Sequence, residues 1–361
     1  MVKNFLIFFF LLTLVNAWGQ KDPLMTKDSI SQLKWVDSIL NNMSVDQKIG
    51  QLFMVAAYSN KDQRHVDEIE NLVKKYQIGG IIFFQGTVEG HAKLINQYQA
   101  SAQVPMLIGI DAEWGLNMRL PEVTRFPYNM PLGAIKNNRL IEEYGRSVAH
   151  QLKRLGMHIN FAPSVDINTN PANPIIGNRS YGVDKFNVAL KAESFLKGMQ
   201  GEGILASAKH FPGHGDTAQD SHKTLPTVDF DMARLDSVEL FPYKYLIDRG
   251  LTGVMVAHLN VPAIESTNGI PTSISKGAIT DLLKNKLNFQ GLIYTDALNM
   301  KGAANFAKPG EIDLAAFLAG NDFLVFSENV GNAHQLIKKA FEEKKFDEER
   351  LNYSVRKILK A

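Results

Sequence analysis

The segment Lys209-His-Phe-Pro-Gly-His-Gly-Asp-Thr-Ala-Gln-Asp-Ser-His222 holds one lysine, three histidines and two aspartates. Imidazole titrates near neutral pH and a neighbouring carboxylate can fix its tautomer, so this composition suits proton transfer. In Asp220-Ser-His222, residues two apart project to the same side of an extended loop. Asp220 would then hold one nitrogen of His222 and leave the other to exchange a proton, by the logic of a serine-protease triad without its serine. Ser221 is a poor nucleophile candidate, because adjacent residues of one loop seldom reach the geometry such a triad needs. His210, His214, Asp216, Asp220 and His222 are also plausible zinc ligands. The spacing is not the helical His-Glu-x-x-His pattern, and Pro212 with two glycines keeps these groups off one helix face. A solvated polar loop is the plain alternative to both.

Three further positions suit chemistry. Asp296, in Tyr294-Thr-Asp-Ala-Leu-Asn-Met300, would serve as nucleophile, ligand or hydrogen-bond acceptor, or equally as the N-cap of a following helix. Arg179, in Ile176-Gly-Asn-Arg-Ser-Tyr-Gly182, offers a fork for sugar hydroxyls or a carboxylate, or a structural ion pair. Asp166, after Phe161-Ala-Pro-Ser-Val, reads best as a brace.

The elements that must position these groups show as short apolar runs at residues 52–56, 80–84, 106–111, 158–162, 205–210, 253–258, 291–296 and 322–326. Near-continuous apolar runs are what strands buried on both faces look like. Helical spacing fills the gaps at 140–155, 186–199, 235–248, 278–287 and 333–341, with further helices at 28–41 and 347–359. Ser44-Val-Asp-Gln47 has the form of a capping box. Eight strands alternating with helices predict an α/β fold, a (β/α)8 TIM-type barrel, and no Gly-x-Gly-x-x-Gly follows the first strand. Polar residues end several runs: Asp111, Lys209-His210, His258 and Asp296. In a barrel those ends meet at one face.

The whole chain narrows the classes further. Lys3, the apolar run 5–15 and Val15-Asn-Ala17 read as an export signal over 1–19, shorter than the ~20 apolar residues of a membrane-spanning helix. Residues 20–361 then form one expected catalytic domain, without a Pro/Ser-rich linker. There is no cysteine, so stability rests on core burial. The 39 basic and 37 acidic residues give +2, and no basic block supports nucleic-acid binding. No stable membrane insertion is expected after signal cleavage.

Taken together, these motifs resemble the bacterial β-N-acetylglucosaminidases of glycoside hydrolase family 3. The likeness rests on residues 209–222 and on Met43-Ser-Val-Asp-Gln-Lys-Ile-Gly-Gln51, Gly79-Gly-Ile-Ile-Phe-Phe84, Asn160-Phe-Ala-Pro163, Arg179-Ser-Tyr-Gly182, Ala319-Gly-Asn-Asp322 and Ser354-Val-Arg-Lys-Ile-Leu359. It implies a retaining mechanism without metal or organic cofactor. Asp296 would be the nucleophile, with His222 the general acid/base oriented by Asp220. Asp111, Arg119, Arg179, Lys209 and His210 match residues that hold a terminal N-acetylglucosamine. The implied partners are N-acetylglucosamine-containing glycans, muropeptides among them. One departure stands out: Asp111-Ala-Glu-Trp-Gly-Leu116 replaces the family's Asp-Gln-Glu-Gly-Gly-Arg, which alters the edge of the site. An uncharged imidazole as acid/base would also tolerate phosphate in place of water.

Overall fold

The computed structural model describes residues 22–221 and 223–361, so the signal-like segment and His222 lie outside the described residues. Eight strands run in parallel: β1 Phe53–Ala57, β2 Gly80–Phe83, β3 Leu107–Ile110, β4 Ile159–Asn160, β5 Leu205–Phe211, β6 Gly253–Val256, β7 Leu292–Thr295 and β8 Leu324–Val325. Each falls on one of the eight apolar runs. Met54 of β1 lies opposite Gly80 of β2 on one side and Val325 of β8 on the other. The seam between β7 and β8 is drawn together by Phe323 N–H donating to the Ile293 carbonyl at 3.0 Å and Thr295 N–H to the Phe323 carbonyl at 3.1 Å. The result is the expected (β/α)8 barrel.

Its interior is packed, not hollow, as in other barrels of this size. Phe161, Tyr294 and Phe323 are fully buried. The Tyr294 and Phe323 rings stack at 5.7 Å, and Phe161 meets Tyr294 edge-on at 5.1 Å. The helices take their predicted places, with caps that explain their starts. The Ser44 side chain accepts from Gln47 N–H while the Gln47 side chain accepts from Ser44 N–H, completing the capping box.

Two helices depart from expectation. The span 235–248 is broken into Met232–Ser237 and Phe241–Ile247. Pro242 is the reason: it has no N–H and fits only the first turn of a helix, so a new helix starts there. Gly277–Lys286 is wound as a π-helix.

At the N-terminal end of the barrel, the helices Ser29–Leu40 and Glu348–Lys360 lie together. Gln32 Nε2 donates to the Lys360 carbonyl at 2.6 Å, and Lys360 Nζ pairs with Asp22 at 2.7 Å. Asp322, just before β8, reaches Ser354 Oγ at 2.6 Å and Lys357 Nζ at 2.5 Å on the latter helix. That end is closed. The site is at the other.

Candidate active site

A cavity of about 540 Å³ opens at the C-terminal ends of the strands. Asp111, Arg119, Arg179, Lys209, His210 and Asp296 all line it. Six residues spread over 186 positions of sequence (296 − 111 + 1) are thus brought together; Asp111, Lys209, His210 and Asp296 come from strand ends, Arg119 and Arg179 from loops.

Lys209 and His210 owe their aim to a local irregularity. The β5–β6 register shifts between Ala208 and Phe211. Adjacent residues of a regular strand point to opposite faces, and a bulge relaxes that alternation. Both side chains therefore border the cavity, buried.

Lys209 Nζ donates to Asp111 Oδ1 at 2.8 Å and to Glu113 Oε1 at 2.9 Å. Arg119 Nη2 holds the second oxygen of Asp111 at 2.5 Å. Arg179 forks onto Glu113, through Nη2 at 2.7 Å and Nε at 3.0 Å. Burial alone would raise the pKa of both carboxyls. The adjoining cations outweigh it, holding Asp111 far below the usual carboxylate range and Glu113 at about 2. Burial would likewise discharge Lys209, but Asp111 and Glu113 keep its pKa above the ordinary lysine value. The cluster is therefore ionised at neutral pH.

His210 is oriented from both sides. Arg179 Nη2 donates to its Nε2 at 3.0 Å, which places the ring proton on Nδ1, where it donates to Asp166 Oδ2 at 2.7 Å. Asp166 also accepts from Ser164 Oγ at 2.9 Å and from the His214 N–H at 2.7 Å. It is fully buried and acts as the expected brace.

The loop beyond β5 is folded tightly at its start. A Cβ on Gly215 would lie 1.8 Å from the Ile167 carbonyl oxygen, so only glycine lets the loop lie against the segment after β4. Asp220 is half-buried, its carbonyl accepting from the Lys223 and Thr224 N–H groups. The described wall of the cavity includes Ser221 but not Asp220, and His222, the acid/base candidate, lies outside the described residues.

Asp296 borders the cavity beyond β7, and its Oδ1 accepts from the next N–H, Ala297, at 2.8 Å. It caps no helix: the following one, Lys301–Ala304, starts after Met300 without a side-chain cap. His258, expected at the same face, is instead fully buried behind it. Its Nε2–H donates to the Ala297 carbonyl at 3.0 Å and its Nδ1 accepts from Ser273 Oγ at 2.7 Å. A polar residue that ends a strand has two ways to turn, and this one turns inward to brace the segment that carries Asp296.

Two features went unseen in the sequence. Glu113 bridges Arg179 and Lys209, yet in sequence it is one glutamate in a loop, and only its spatial partners single it out. An aromatic wall of Tyr58, Phe84 and Phe326 also borders the cavity, with Tyr58 stacked on Phe84 at 5.4 Å. Arg119, indistinct by local sequence, lies 4.7 Å over the Phe84 ring. Among the described residues, no group of three or more histidines or carboxylates is arranged to hold a metal ion.

Residues 44–361 match the family model described as the glycosyl hydrolase family 3 N terminal domain. Beta-hexosaminidase A of Pseudoalteromonas piscicida is 31% identical over 325 residues, which are 81% of this chain and 54% of that protein. A beta-N-acetylglucosaminidase/beta-glucosidase of Cellulomonas fimi is 28% identical over 91% of this chain and 59% of its own length. The chain thus spans little more than half the length of these relatives. Among solved structures, a glycoside hydrolase family 3 beta-N-acetylglucosaminidase from Paenibacillus sp. str. FPU-7 superposes with a TM-score of 0.83 at 38% identity, covering 88% of this chain and 62% of that one.

Proposed function

This chain belongs to glycosyl hydrolase family 3, and from that premise we propose that it is a retaining exo-β-N-acetylglucosaminidase. It removes terminal N-acetylglucosamine from peptidoglycan fragments. The observation that carries this is the meeting of Asp296 with the Asp111–Lys209–Glu113–Arg179–His210 cluster on one cavity wall. The cluster offers fixed, charged donors and acceptors for the hydroxyls of a single terminal sugar. Asp296 then stands as the carboxylate that attacks the anomeric carbon, forming a glycosyl ester.

Retaining cleavage needs a second group to protonate the departing oxygen and afterwards deprotonate water. Asp220 and His222 take that part, on a loop that begins beside the cluster. An uncharged imidazole does not repel an anion as a carboxylate does, so phosphate competes with water for the intermediate. Export follows from residues 1–19, and muropeptides are the expected substrates in that location.

The test is turnover of an aryl β-N-acetylglucosaminide against the matching glucoside, with Asp296→Ala and His222→Ala beside the wild type. Selective loss of N-acetylglucosaminide hydrolysis in both variants is expected; unchanged rates remove the assignment. The Cellulomonas fimi relative, whose name includes beta-glucosidase, supports the alternative, and preference for the glucoside would establish it. Product analysis in phosphate buffer separates N-acetylglucosamine from its 1-phosphate. Fractionation of the producing cell tests export.

A further inference from the structure

The loop expected to carry proton transfer is exposed at residues 218, 219, 223 and 224, yet Ser221 at its centre is buried. Two bonds hold it. Ser221 Oγ lies 3.0 Å from His214 Nε2, and the Ser221 carbonyl accepts from the Gly302 N–H at 3.2 Å.

His214 is held at both ring nitrogens: Thr217 Oγ1 lies 2.5 Å from Nδ1 and Ser221 Oγ 3.0 Å from Nε2, and either neutral tautomer bonds to both hydroxyls. Burial and the neighbouring His210 push the His214 pKa down to about 4, which agrees with an uncharged ring.

His214 is itself fastened to the frame that positions the sugar-binding cluster. Its N–H donates to Asp166, the carboxylate that also holds His210. Its carbonyl accepts from Asn173 Nδ2 at 2.8 Å, and Asn173 Oδ1 accepts from the Ile175 and Ile176 N–H groups in the loop that leads to Arg179. The other anchor, Gly302, follows Asp296 by six residues (302 − 296). A Cβ there would lie 3.0 Å from the Ser221 carbonyl and 2.9 Å from that of Thr224, so the loop can lie this low only over a glycine.

We propose that Ser221 is the pivot of the proton-transfer loop and His214 its positioning residue, pinning the centre of Asp220-Ser-His222 between the sugar-binding frame and the nucleophile segment. This rests on the assignment of Asp220 and His222 to acid/base work. Ser221 is thus fixed through both its hydroxyl and its carbonyl, although residues 218, 219, 223 and 224 around it are exposed. Misplacement by about an ångström is enough to cost on the order of 10²-fold in rate.

Leaving-group dependence reads this out. A 2,4-dinitrophenyl β-N-acetylglucosaminide departs without a proton, whereas the phenyl glycoside needs one. For Ser221→Ala, kcat/KM for the phenyl substrate should fall on the order of 10²-fold, while the dinitrophenyl value changes less than about threefold. Azide, which needs no general base, should restore kcat on the dinitrophenyl substrate and yield the glycosyl azide. Gly302→Ala, which disturbs the second anchor and leaves His214 intact, should show the same signature.

Hydrogen exchange across residues 218–224 should quicken in both variants, and this readout does not depend on turnover. Equal losses on both substrates, or unchanged exchange, overturn the pivot. Wild-type turnover by Asp296→Ala overturns instead the reaction assigned above, whatever Ser221→Ala does.

Discussion

Buried ion clusters lie at both ends of this barrel, and they differ in how charge is shared. At the C-terminal ends of the strands, Lys209, Arg119 and Arg179 share two carboxylates, Asp111 and Glu113. At the N-terminal ends, Lys284, Lys357 and Arg350 surround Asp322. The lysines register the difference. Lys209, between two carboxylates, is held above its usual pKa against burial, whereas burial wins at Lys357, next to Asp322 and near Arg350. Asp322 nevertheless stays ionised, its pKa lowered by Lys357 and Lys284 in spite of burial.

Neighbours differ as well. Asp322 accepts from Ile293 N–H, Ser354 Oγ and Lys357 Nζ, and Arg350 is engaged by the Phe317 and Asn321 carbonyls. That cluster is turned wholly on the protein. The upper one faces a cavity, and Arg119 Nε is buried with no hydrogen-bond partner among the described residues. A charged cluster that staples a fold and one that borders a cavity are built from the same residue types; the open space on one side of the upper cluster distinguishes them.

The sharpest way to break the comparison is to exchange the two kinds of loss. Asp296→Ala, at the open end, should lower kcat/KM by on the order of 10⁴-fold, about 5 kcal/mol of barrier, with the unfolding midpoint little changed. Asp322→Ala, at the closed end, should do the reverse. It leaves Lys357 buried without its counter-ion, which costs about 3–5 kcal/mol of stability. Activity of the fraction still folded at low temperature should stay near that of the wild type. Denaturant titrations and steady-state kinetics on both variants check this, and a large stability loss in Asp296→Ala would erase the distinction.

The third effect concerns pH at the open end. The His214 pKa falls from 6.5 in the unfolded chain to about 4 in the fold. Below pH 6.5 the unfolded state takes up a proton that the folded state refuses, so this contribution is complete above 6.5 and lost as pH falls towards 4. The shift corresponds to about 3 kcal/mol. Stability curves of wild type and His214→Gln should therefore converge by nearly that amount between pH 7 and pH 4, and parallel curves would count against a neutral buried ring.

Much of the upper cluster could be read from the sequence because parallel strands buried on both faces are almost continuously apolar. The first polar residue after such a run marks the rim at the C-terminal ends of the strands, which located Asp111, Lys209, His210 and Asp296 beside the cavity. The same rule placed His258 at that end, where it is buried against the Ala297 carbonyl and does not line the cavity, since a strand end specifies position but not the direction in which a side chain turns. Glu113 was missed for another reason: its partners Arg179 and Lys209 are 66 and 96 positions away (179 − 113, 209 − 113), and pattern within a window cannot show them. The lower cluster was present only as family motifs. Asp322 ends Ala319-Gly-Asn-Asp322, and Ser354 and Lys357 lie in Ser354-Val-Arg-Lys-Ile-Leu359. Contact between the two motifs accounts for both, which neither explains alone.

The smallest effect tests whether the lower cluster really carries excess positive charge. Burial first, and then Arg350 and Lys357, pull the Lys284 pKa down to about 7 against the opposing pull of Asp322. In the unfolded chain it is near 10.5, so between pH 7 and pH 10.5 the unfolded state holds a proton the folded state has given up. Stability from this group therefore rises with pH across that window and is lost as pH falls back to 7. Near neutral pH the charged lysine is a burden on the fold. Lys284→Met, which keeps the length of the stem and removes the charge, should raise stability at pH 7 by about 1 kcal/mol, the full shift being discounted because the side chain is partly solvated. By pH 10 the two proteins should differ little. The corresponding change at the upper end, Lys209→Met, should destabilise at every pH in this range, because it leaves two buried carboxylates short of a cation. Thermal melts of both variants at pH 7 and pH 10 decide the matter, and a loss of stability in Lys284→Met at pH 7 would mean that its charge is needed where Asp322 alone now accounts for it.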